Sequence, residues 1–230
     1  MKDQYVGDVN DFAKYQLLRL AEEHFERVLV AWMLTPADGR GDGGQIGYLD
    51  DPANAAADPE LFAALAKLVS RGERSVAALE ASGALAECRF HSAQMPRGEP
   101  ERARYFADLA AMADPGALVF LDPDNGIEVA SVAKGASGAE RYVYWSELEP
   151  LRAAGSSVLI YQHFPRVQRA SYLDGLLTRL ARKMGSGYEA FAAHTSRVGF
   201  LFALRAERGR MRDTVARHCE QSPLLSFHRG

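Results

Sequence analysis

Short apolar runs that alternate with amphipathic segments are the feature that most constrains the fold of this chain. Continuous apolar runs predict buried strands, and apolar side chains at helical spacing predict helices that pack on one face. Because the two kinds of segment alternate, the sequence predicts an α/β fold with a mainly parallel sheet covered by helices. The predicted strands are residues 28–34, 88–94, 118–121, 157–161, 188–194 and 197–204, and the predicted helices are residues 11–25, 59–69, 75–81, 99–113, 146–153, 169–184 and 209–218.

Length, charge and cysteine content narrow the class of protein. A chain of 230 residues favours one domain, spanning residues 1–230. The net charge of −3 gives no overall attraction to nucleic acid or to an anionic membrane, although it is compatible with a local basic face. The sequence has no apolar run of about 18 residues, and its two distant cysteines, Cys88 and Cys219, indicate free thiols. We therefore expect a soluble, cytoplasmic protein that does not contact membranes, and the sequence leaves its oligomeric state open.

The most informative motif follows the strand predicted at residues 118–121. The apolar run ends abruptly in a turn that carries Asp122, Pro123, Asp124, Asn125, Gly126 and Glu128. In open α/β sheets, ligands bind at the carboxyl ends of the strands, so these polar groups are placed to meet a substrate amine, a proton or a metal ion. The alternative is a plain turn whose Asp and Asn side chains bond to their own backbone.

The N-terminal segment contains a second group of candidate residues. Gly7 allows a tight turn before the first helix, and Asp11 is positioned to cap the N-terminus of that helix. Lys14 lies one helical turn after Asp11 on the same face, so the two side chains either pair with each other or leave Lys14 for a functional role.

A glycine-rich loop follows the first predicted strand. Residues 35–44 include Thr35, Asp38 and Gly39, and a strand that runs into such a loop is typical of a nucleotide-type ligand site. The loop has neither the Gly-x-Gly-x-x-Gly pattern nor the phosphate-loop pattern. Asp38 is a candidate to bond ribose hydroxyls or an amino group, or simply to cap a turn.

Basic residues follow the strand predicted at residues 157–161. His163 comes directly after it, where a histidine can act as a general base or a metal ligand. The alternative is that its ring packs against Phe164. A basic run beyond it either holds phosphates near the site or forms a solvated helix face, and it comprises Arg166, Arg169, Arg179, Arg182 and Lys183.

In their order along the chain, these motifs resemble the class I methyltransferase fold, and most closely the family of large-subunit ribosomal RNA adenine-N6 methyltransferases. Gly7, Asp11 and Lys14 match that family's opening motif, and residues 32–44 correspond to its first strand and glycine loop. Residues 122–125, Asp-Pro-Asp-Asn, stand where the family has Asp-Pro-Pro-Tyr, and residues 160–165 are similar to its next strand end. The opening segment and the Asp-Pro-Asp-Asn-Gly motif also resemble those of a bacterial group of proteins.

The resemblance implies a Rossmann-like sheet with helices on both faces, in a single domain. It further implies that S-adenosylmethionine is bound by Gly7, Asp11, Lys14, Thr35, Asp38 and Gly39. Asp122 would face the reactive amine, with Asp124, Asn125 and His163 in the same catalytic site. The chain departs from the family where Asp124 and Asn125 replace Pro-Tyr, which removes the ring that stacks on the target base. Glu87 is the nearest candidate for an acid that binds the cofactor ribose.

Three functional hypotheses follow from these motifs. The first is a methyltransferase that acts on a nucleic-acid base or another amine, with RNA or DNA as the candidate partner. The second is a nuclease or phosphoesterase dependent on Mg²⁺ or Mn²⁺, because carboxylate oxygens suit these ions. Its candidate ligands are Asp122, Asp124, Glu128 and His163, and Lys134 would stabilise the leaving phosphate. The third is a catalytically inactive protein that binds RNA or a protein partner.

Overall fold

A seven-stranded sheet forms the centre of the computed structural model, which describes residues 1–36 and 43–230. Two further short strands pair with each other outside this sheet. In chain order the strands are β1 Val28–Ala31, β2 Cys88–His91, β3 Leu118–Leu121, β4 Gly126–Ile127, β5 Tyr142–Val143, β6 Ser157–His163, β7 Tyr188–His194, β8 Val198–Arg205 and β9 Ser226–Arg229.

Helices cover both faces of the sheet, as the sequence predicts for an α/β, Rossmann-like fold. Alternate residues of β1 and β3 enter two separate apolar cores, because successive side chains of a strand point to opposite faces. One core is closed by α1, α3, α4 and α8, and the other by α5, α6 and α7. The helices are α1 Val9–Glu22, α2 Pro52–Ala57, α3 Pro59–Ser70, α4 Val76–Ala81, α5 Glu99–Met112, α6 Glu149–Ala153, α7 Arg169–Met184 and α8 Gly209–Gln221.

The strands of one half of the sheet pair in parallel, and those of the other half pair antiparallel. Its strand order is β2-β1-β3-β6-β8-β7-β9, and the first four of these strands run parallel. β8 pairs antiparallel with both β6 and β7, and β9 pairs antiparallel with β7. A short turn joins β7 to β8, and such a connection requires antiparallel pairing.

The position of the candidate site follows from this strand order. From β1 the chain moves outward to β2 and then returns across β1 to form β3. The loops after β1 and β3 therefore leave in different directions, and the crevice at such a switch point is where open α/β sheets bind ligands. The backbone amide of Asp122 donates a hydrogen bond to the carbonyl of Ala31 at 3.0 Å, so the Asp-Pro-Asp-Asn-Gly turn starts at this point.

Several helices and strands begin or end at other residues than the sequence predicts. The first helix starts at Val9 rather than residue 11, because Asp8 caps it by accepting a hydrogen bond from the Asn10 amide at 3.0 Å. The prediction that Asp11 is the cap is therefore wrong. The strand predicted at residues 28–34 ends at Ala31, and β6 continues to His163. α2, β4, β5 and β9 are not among the predicted elements, and β4 and β5 have only two residues each, too few to show a periodic pattern. In the described ranges no helix is long and apolar enough to span a bilayer.

A buried arginine fixes the segment that leads into β5. Arg102 of α5 is fully buried and binds Glu147 through two hydrogen bonds, at 2.6 and 2.8 Å. Its remaining donors reach the carbonyls of Pro96, Ala139 and Tyr142 at 2.8–3.2 Å. A guanidinium offers five donors in a rigid fork, so one side chain ties α5 to three backbone carbonyls.

Replacing Arg102 with Met is expected to lower the free energy of unfolding by about 3 kcal/mol or more, because Glu147 would remain buried with one cation fewer. Urea unfolding measures the change. Arg104→Met on the same helix is the matched control: this guanidinium is 74% exposed, so a change within about 0.5 kcal/mol is expected. Equal losses in the two variants would contradict the structural role of Arg102.

Candidate functional site

A cavity of about 330 Å³ opens at the carboxyl ends of β3 and β6, beside the start of β8. The N-terminal segment and the start of α1 form one wall, and the turn after β3 forms another. This volume lies within the usual range of small-ligand pockets, about 300–1,000 Å³. The described residues around it are Met1, Lys2, Tyr5, Asp8, Asn10, Asp11, Lys14, Gly43, Gln45, Asp122, Pro123, Asp124, Asn125, Arg141, Tyr161, His163, Arg197 and Val198.

A buried ion cluster forms the floor of the cavity. Lys14 Nζ lies 2.7 Å from Asp11 Oδ1 and 2.7 Å from Asp122 Oδ2, and the Lys14 side chain is only 2% exposed. Tyr15 OH donates a hydrogen bond to the other oxygen of Asp11 at 2.8 Å. Positions 11, 14 and 15 share one face of α1 because they are separated by three or four residues. Of the two alternatives for Lys14, the structure shows the pairing with Asp11, and Asp122 joins the pair from the end of β3.

Burial and the charges in this cluster set the protonation states of the side chains in and around it. Burial raises the pKa of Asp11 to about 6; the Asp122 charge adds to this effect and Lys14 opposes it. Burial alone would lower the pKa of Lys14, but Asp11 and Asp122 outweigh it and hold that pKa above its ordinary value. Lys14 therefore remains an ammonium group and serves as the counter-charge of the two carboxylates, not as a base. Burial and the neighbouring carboxylates also hold the pKa of Tyr161 well above its ordinary value, so its ring stays uncharged.

Asp124 joins the loops that follow β1 and β3. One of its oxygens accepts a hydrogen bond from Thr35 Oγ1 at 2.6 Å and lies 3.3 Å from Lys2 Nζ. The amino group of Met1 lies 2.9 Å from the other oxygen. Burial raises the pKa of Asp124, but the amino group and the Thr35 hydrogen bond outweigh it, so this pKa lies below its ordinary value. Asp124 is therefore ionised, and its contacts hold this wall of the cavity together.

Gln162 holds the Asp-Pro-Asp-Asn-Gly turn against β6. Its Oε1 accepts a hydrogen bond from the Ile127 amide at 2.9 Å, and its Nε2 donates to the carbonyls of Asn125 and His163 at 3.2 and 2.8 Å. The His163 amide also donates to the Asn125 carbonyl at 3.2 Å. Gln162 is not among the candidates predicted from the sequence, although a polar residue that follows the apolar core of a strand is a signal for such a role.

Arg74 ties the N-terminal segment to the end of the glycine-rich loop. It donates to the carbonyls of Gln4 and Val6, both at 2.7 Å, and to the carbonyl of Gly43. Gly7 has a φ of +83°, which confirms the predicted tight turn at a position that favours glycine. The sequence does not predict this role of Arg74, because Arg74 lies far from the N-terminal segment in the chain.

The predicted cofactor residues have different outcomes. Asp11 and Lys14 meet in the floor of the cavity, and Thr35 lies next to it on Asp124. Asp38 and Gly39 lie outside the described residues. Glu87 precedes β2 and therefore lies at the amino end of that strand, opposite the cavity, so it is not placed to bind a cofactor ribose there.

The predicted metal ligands are not brought together. Asp122, Asp124 and His163 border the cavity, but Glu128 lines a separate hollow with Lys134. Within residues 1–36 and 43–230, no group of three or more His, Cys, Asp or Glu side chains is arranged to hold a metal ion. The Lys14 ammonium lies between Asp11 and Asp122. Lys134 instead pairs with Glu147 at 3.2 Å.

The basic run after β6 is divided between two regions. Arg169 donates to the Ser196 carbonyl at 2.6 Å and lies 5.1 Å from the Phe164 ring, near the edge of the sheet that carries the cavity. Arg179 stacks on Trp145 at 4.9 Å and lines the separate hollow. His163 is exposed at the cavity mouth.

No protein-family model and no curated protein matches the chain. Its function is therefore inferred from the residues of the cavity. The floor offers Asp122, a buried carboxylate whose charge is balanced by Lys14. Such a group can accept a hydrogen bond from an amine. The mouth offers Arg141, His163 and Arg197, which can bind anionic groups.

Replacing Gly126 with Ala is expected to destabilise the turn that carries Asp122. Gly126 has a φ of +106°, and an added Cβ would clash with the Gln162 side chain. We expect a loss of about 1–3 kcal/mol in the free energy of unfolding, measured by urea denaturation. Gly138→Ala is the control, since Gly138 has a φ of +89° with open space at the Cβ position. A loss in Gly138→Ala as large as in Gly126→Ala would show that the Gln162 contact has no effect.

Replacing Asp11 with Asn is expected to change how stability depends on pH. The pKa of Asp11 rises from 3.8 to about 6 on folding, so its contribution to stability is full below about pH 4 and is lost as the pH rises through 6. Compared with Asp11→Asn, the unmodified protein should lose about 1–3 kcal/mol more stability between about pH 4 and about pH 7. Urea unfolding at both pH values measures this difference. The exposed Asp108→Asn serves as control, and identical pH dependence in the unmodified protein and Asp11→Asn would contradict the raised pKa.

Proposed function

We propose that the cavity is the active site of a Rossmann-like enzyme that transfers a methyl group from S-adenosylmethionine to an amine of a nucleic-acid base or to another amine. The observation that carries this proposal is the position of Asp122. It lies at the carboxyl end of β3 beside the switch point, borders the cavity, and is held 2.7 Å from Lys14. This is the position of the target-binding acid in the family that the motif order resembles.

The charge of the cavity floor suits the cofactor. Asp11, Lys14 and Asp122 together carry one more negative than positive charge when all three are ionised. An excess negative charge in a buried cluster stabilises a nearby cation, and the sulfonium of S-adenosylmethionine is one. When bound, S-adenosylmethionine supplies an activated methyl group to the nitrogen of an amine.

The chain itself would bind and orient the amine. Asp122 would accept a hydrogen bond from an amine N–H, which turns the nitrogen lone pair toward the cavity. Lys14 holds that carboxylate in one place and balances its charge. Tyr161 lies 5.3 Å from Lys14 Nζ and borders the cavity, so its uncharged ring offers a surface for a base where the motif lacks an aromatic residue. Asn125 and His163 would complete the polar wall.

The metal-dependent alternative receives no comparable support. Its four candidate ligands lie in two separate hollows.

The proposal predicts that the full chain binds S-adenosylmethionine with a dissociation constant below about 1 mM by isothermal titration calorimetry. It also predicts a charge effect, because S-adenosylhomocysteine is the same molecule without the sulfonium charge. Asp122→Asn removes the excess negative charge of the floor and should reduce the preference for S-adenosylmethionine over S-adenosylhomocysteine by about tenfold.

Asp213→Asn is the control for this titration, since Asp213 is 63% exposed on α8 and should leave the preference unchanged. The melting temperature of each variant verifies that it is folded. Absence of binding at about 1 mM cofactor would refute the proposed function. An unchanged preference in Asp122→Asn would show that the sulfonium does not lie beside the cluster.

A further inference from the structure

Three basic residues from separate segments meet at the mouth of the cavity. Arg141 directly precedes β5, His163 ends β6, and Arg197 lies in the turn before β8. Backbone hydrogen bonds hold these segments to the cavity wall: the Asn125 amide donates to the Arg141 carbonyl at 2.9 Å, and the Phe164 amide donates to the Arg197 carbonyl at 3.1 Å. His163 and Arg197 are exposed, and Arg141 is half-buried. The fold therefore presents three basic groups around one opening.

The acids of the same cavity are already engaged by the chain. Each described carboxylate that borders the cavity accepts a hydrogen bond from another group of the protein or forms an ion pair with one. The engaged acids are Asp8 with the backbone amides of Asn10 and Gln45, Asp11 and Asp122 with Lys14, and Asp124 with Thr35 and Lys2. The Glu140 carboxylate, next to Arg141 in the chain, is held by Arg97 at 3.3 Å.

The basic groups of the mouth differ from these acids. Across residues 1–36 and 43–230, the side chains of Arg141, His163 and Arg197 make no hydrogen bond or ion pair. Among the described residues that border the opening, Arg141 and Arg197 are therefore the charged side chains with neither a hydrogen bond nor an ion pair, although the chain as a whole carries a net charge of −3. Guanidinium and imidazole donors that border one cavity suit a tetrahedral anion with several oxygens, because Arg binds phosphate through two parallel hydrogen bonds.

We propose that Arg141, His163 and Arg197 form a phosphate-binding subsite, so that the ligand of this cavity carries a phosphate group at the mouth. The subsite adds a ligand class to the cavity without depending on methyl transfer, because phosphate binding is measured with no cofactor present. The phosphate belongs either to a mononucleotide or to a nucleic-acid backbone, and the two sources differ in how many phosphates reach the mouth.

The test compares adenosine 5′-monophosphate with adenosine, titrated into the full chain by isothermal titration calorimetry without cofactor. We expect the monophosphate to bind at least about tenfold more tightly than adenosine, because only it reaches the basic groups. Arg197→Gln and Arg141→Gln should each weaken monophosphate binding by about 3- to 10-fold and leave adenosine binding unchanged. Arg210→Gln is the matched control: Arg210 is also exposed, but it starts α8 at the opposite edge of the sheet.

A single-stranded oligonucleotide of about ten nucleotides distinguishes the two sources of phosphate. If the phosphate belongs to nucleic acid, the oligonucleotide binds more tightly than the monophosphate, and Arg197→Gln reduces the slope of log affinity against log salt by about one. If it belongs to a mononucleotide, the two ligands bind alike. Both results support the subsite.

Equal affinities for adenosine and its monophosphate would overturn the subsite, as would an equal loss in Arg210→Gln. No binding of either phosphate ligand at about 1 mM would overturn it as well. Failure of S-adenosylmethionine to bind, with phosphate binding retained, would refute the proposed function and leave the subsite in place.

Discussion

Lys14 bonds to Asp11 and Asp122 in the floor of the cavity, and the placement of α1 over the carboxyl edge of the sheet depends on this buried cluster. Removing Lys14 would leave two carboxylates out of water without their counter-charge, which costs several kcal/mol. The cluster therefore fixes α1 to the end of β3. From that junction the chain positions the N-terminal segment, the turn after β3 and the opening between them.

The polar residues of the cavity divide into two groups with different consequences. The acids are buried and bonded within the protein, so they define its shape and the charge of its floor. The basic residues at the mouth have no such partners within the described residues, so they are available to a ligand. A ligand that suits both groups carries a cationic or amine-bearing part inward and an anionic part outward. The proposed methyl transfer and the proposed phosphate subsite are the two halves of that arrangement.

Local patterns were sufficient for much of the fold and for part of the site. β3 and α7 lie at the predicted boundaries, because β3 is a continuous apolar run and α7 has a clear helical period. β7 also lies at its predicted boundaries. The pairing of Asp11 with Lys14 follows from their spacing on one helix. Gln162 and Arg74 could not be found this way, since their partners are far away in sequence. The prediction that Asp11 caps α1 was wrong, because Asp8 precedes the helix and accepts the hydrogen bond from the Asn10 amide.

The sequence by itself determined that strands and helices alternate, and that an acidic turn ends the β3 strand. These features depend on neighbouring residues, whose spacing decides which side chains share a face. Only the tertiary structure decided that Asp122 would meet Lys14, that Glu128 would lie in a different hollow, and that Arg141, His163 and Arg197 would surround one opening. The reason is that strand order and the direction of each loop place residues from distant segments together, and no local pattern records that placement.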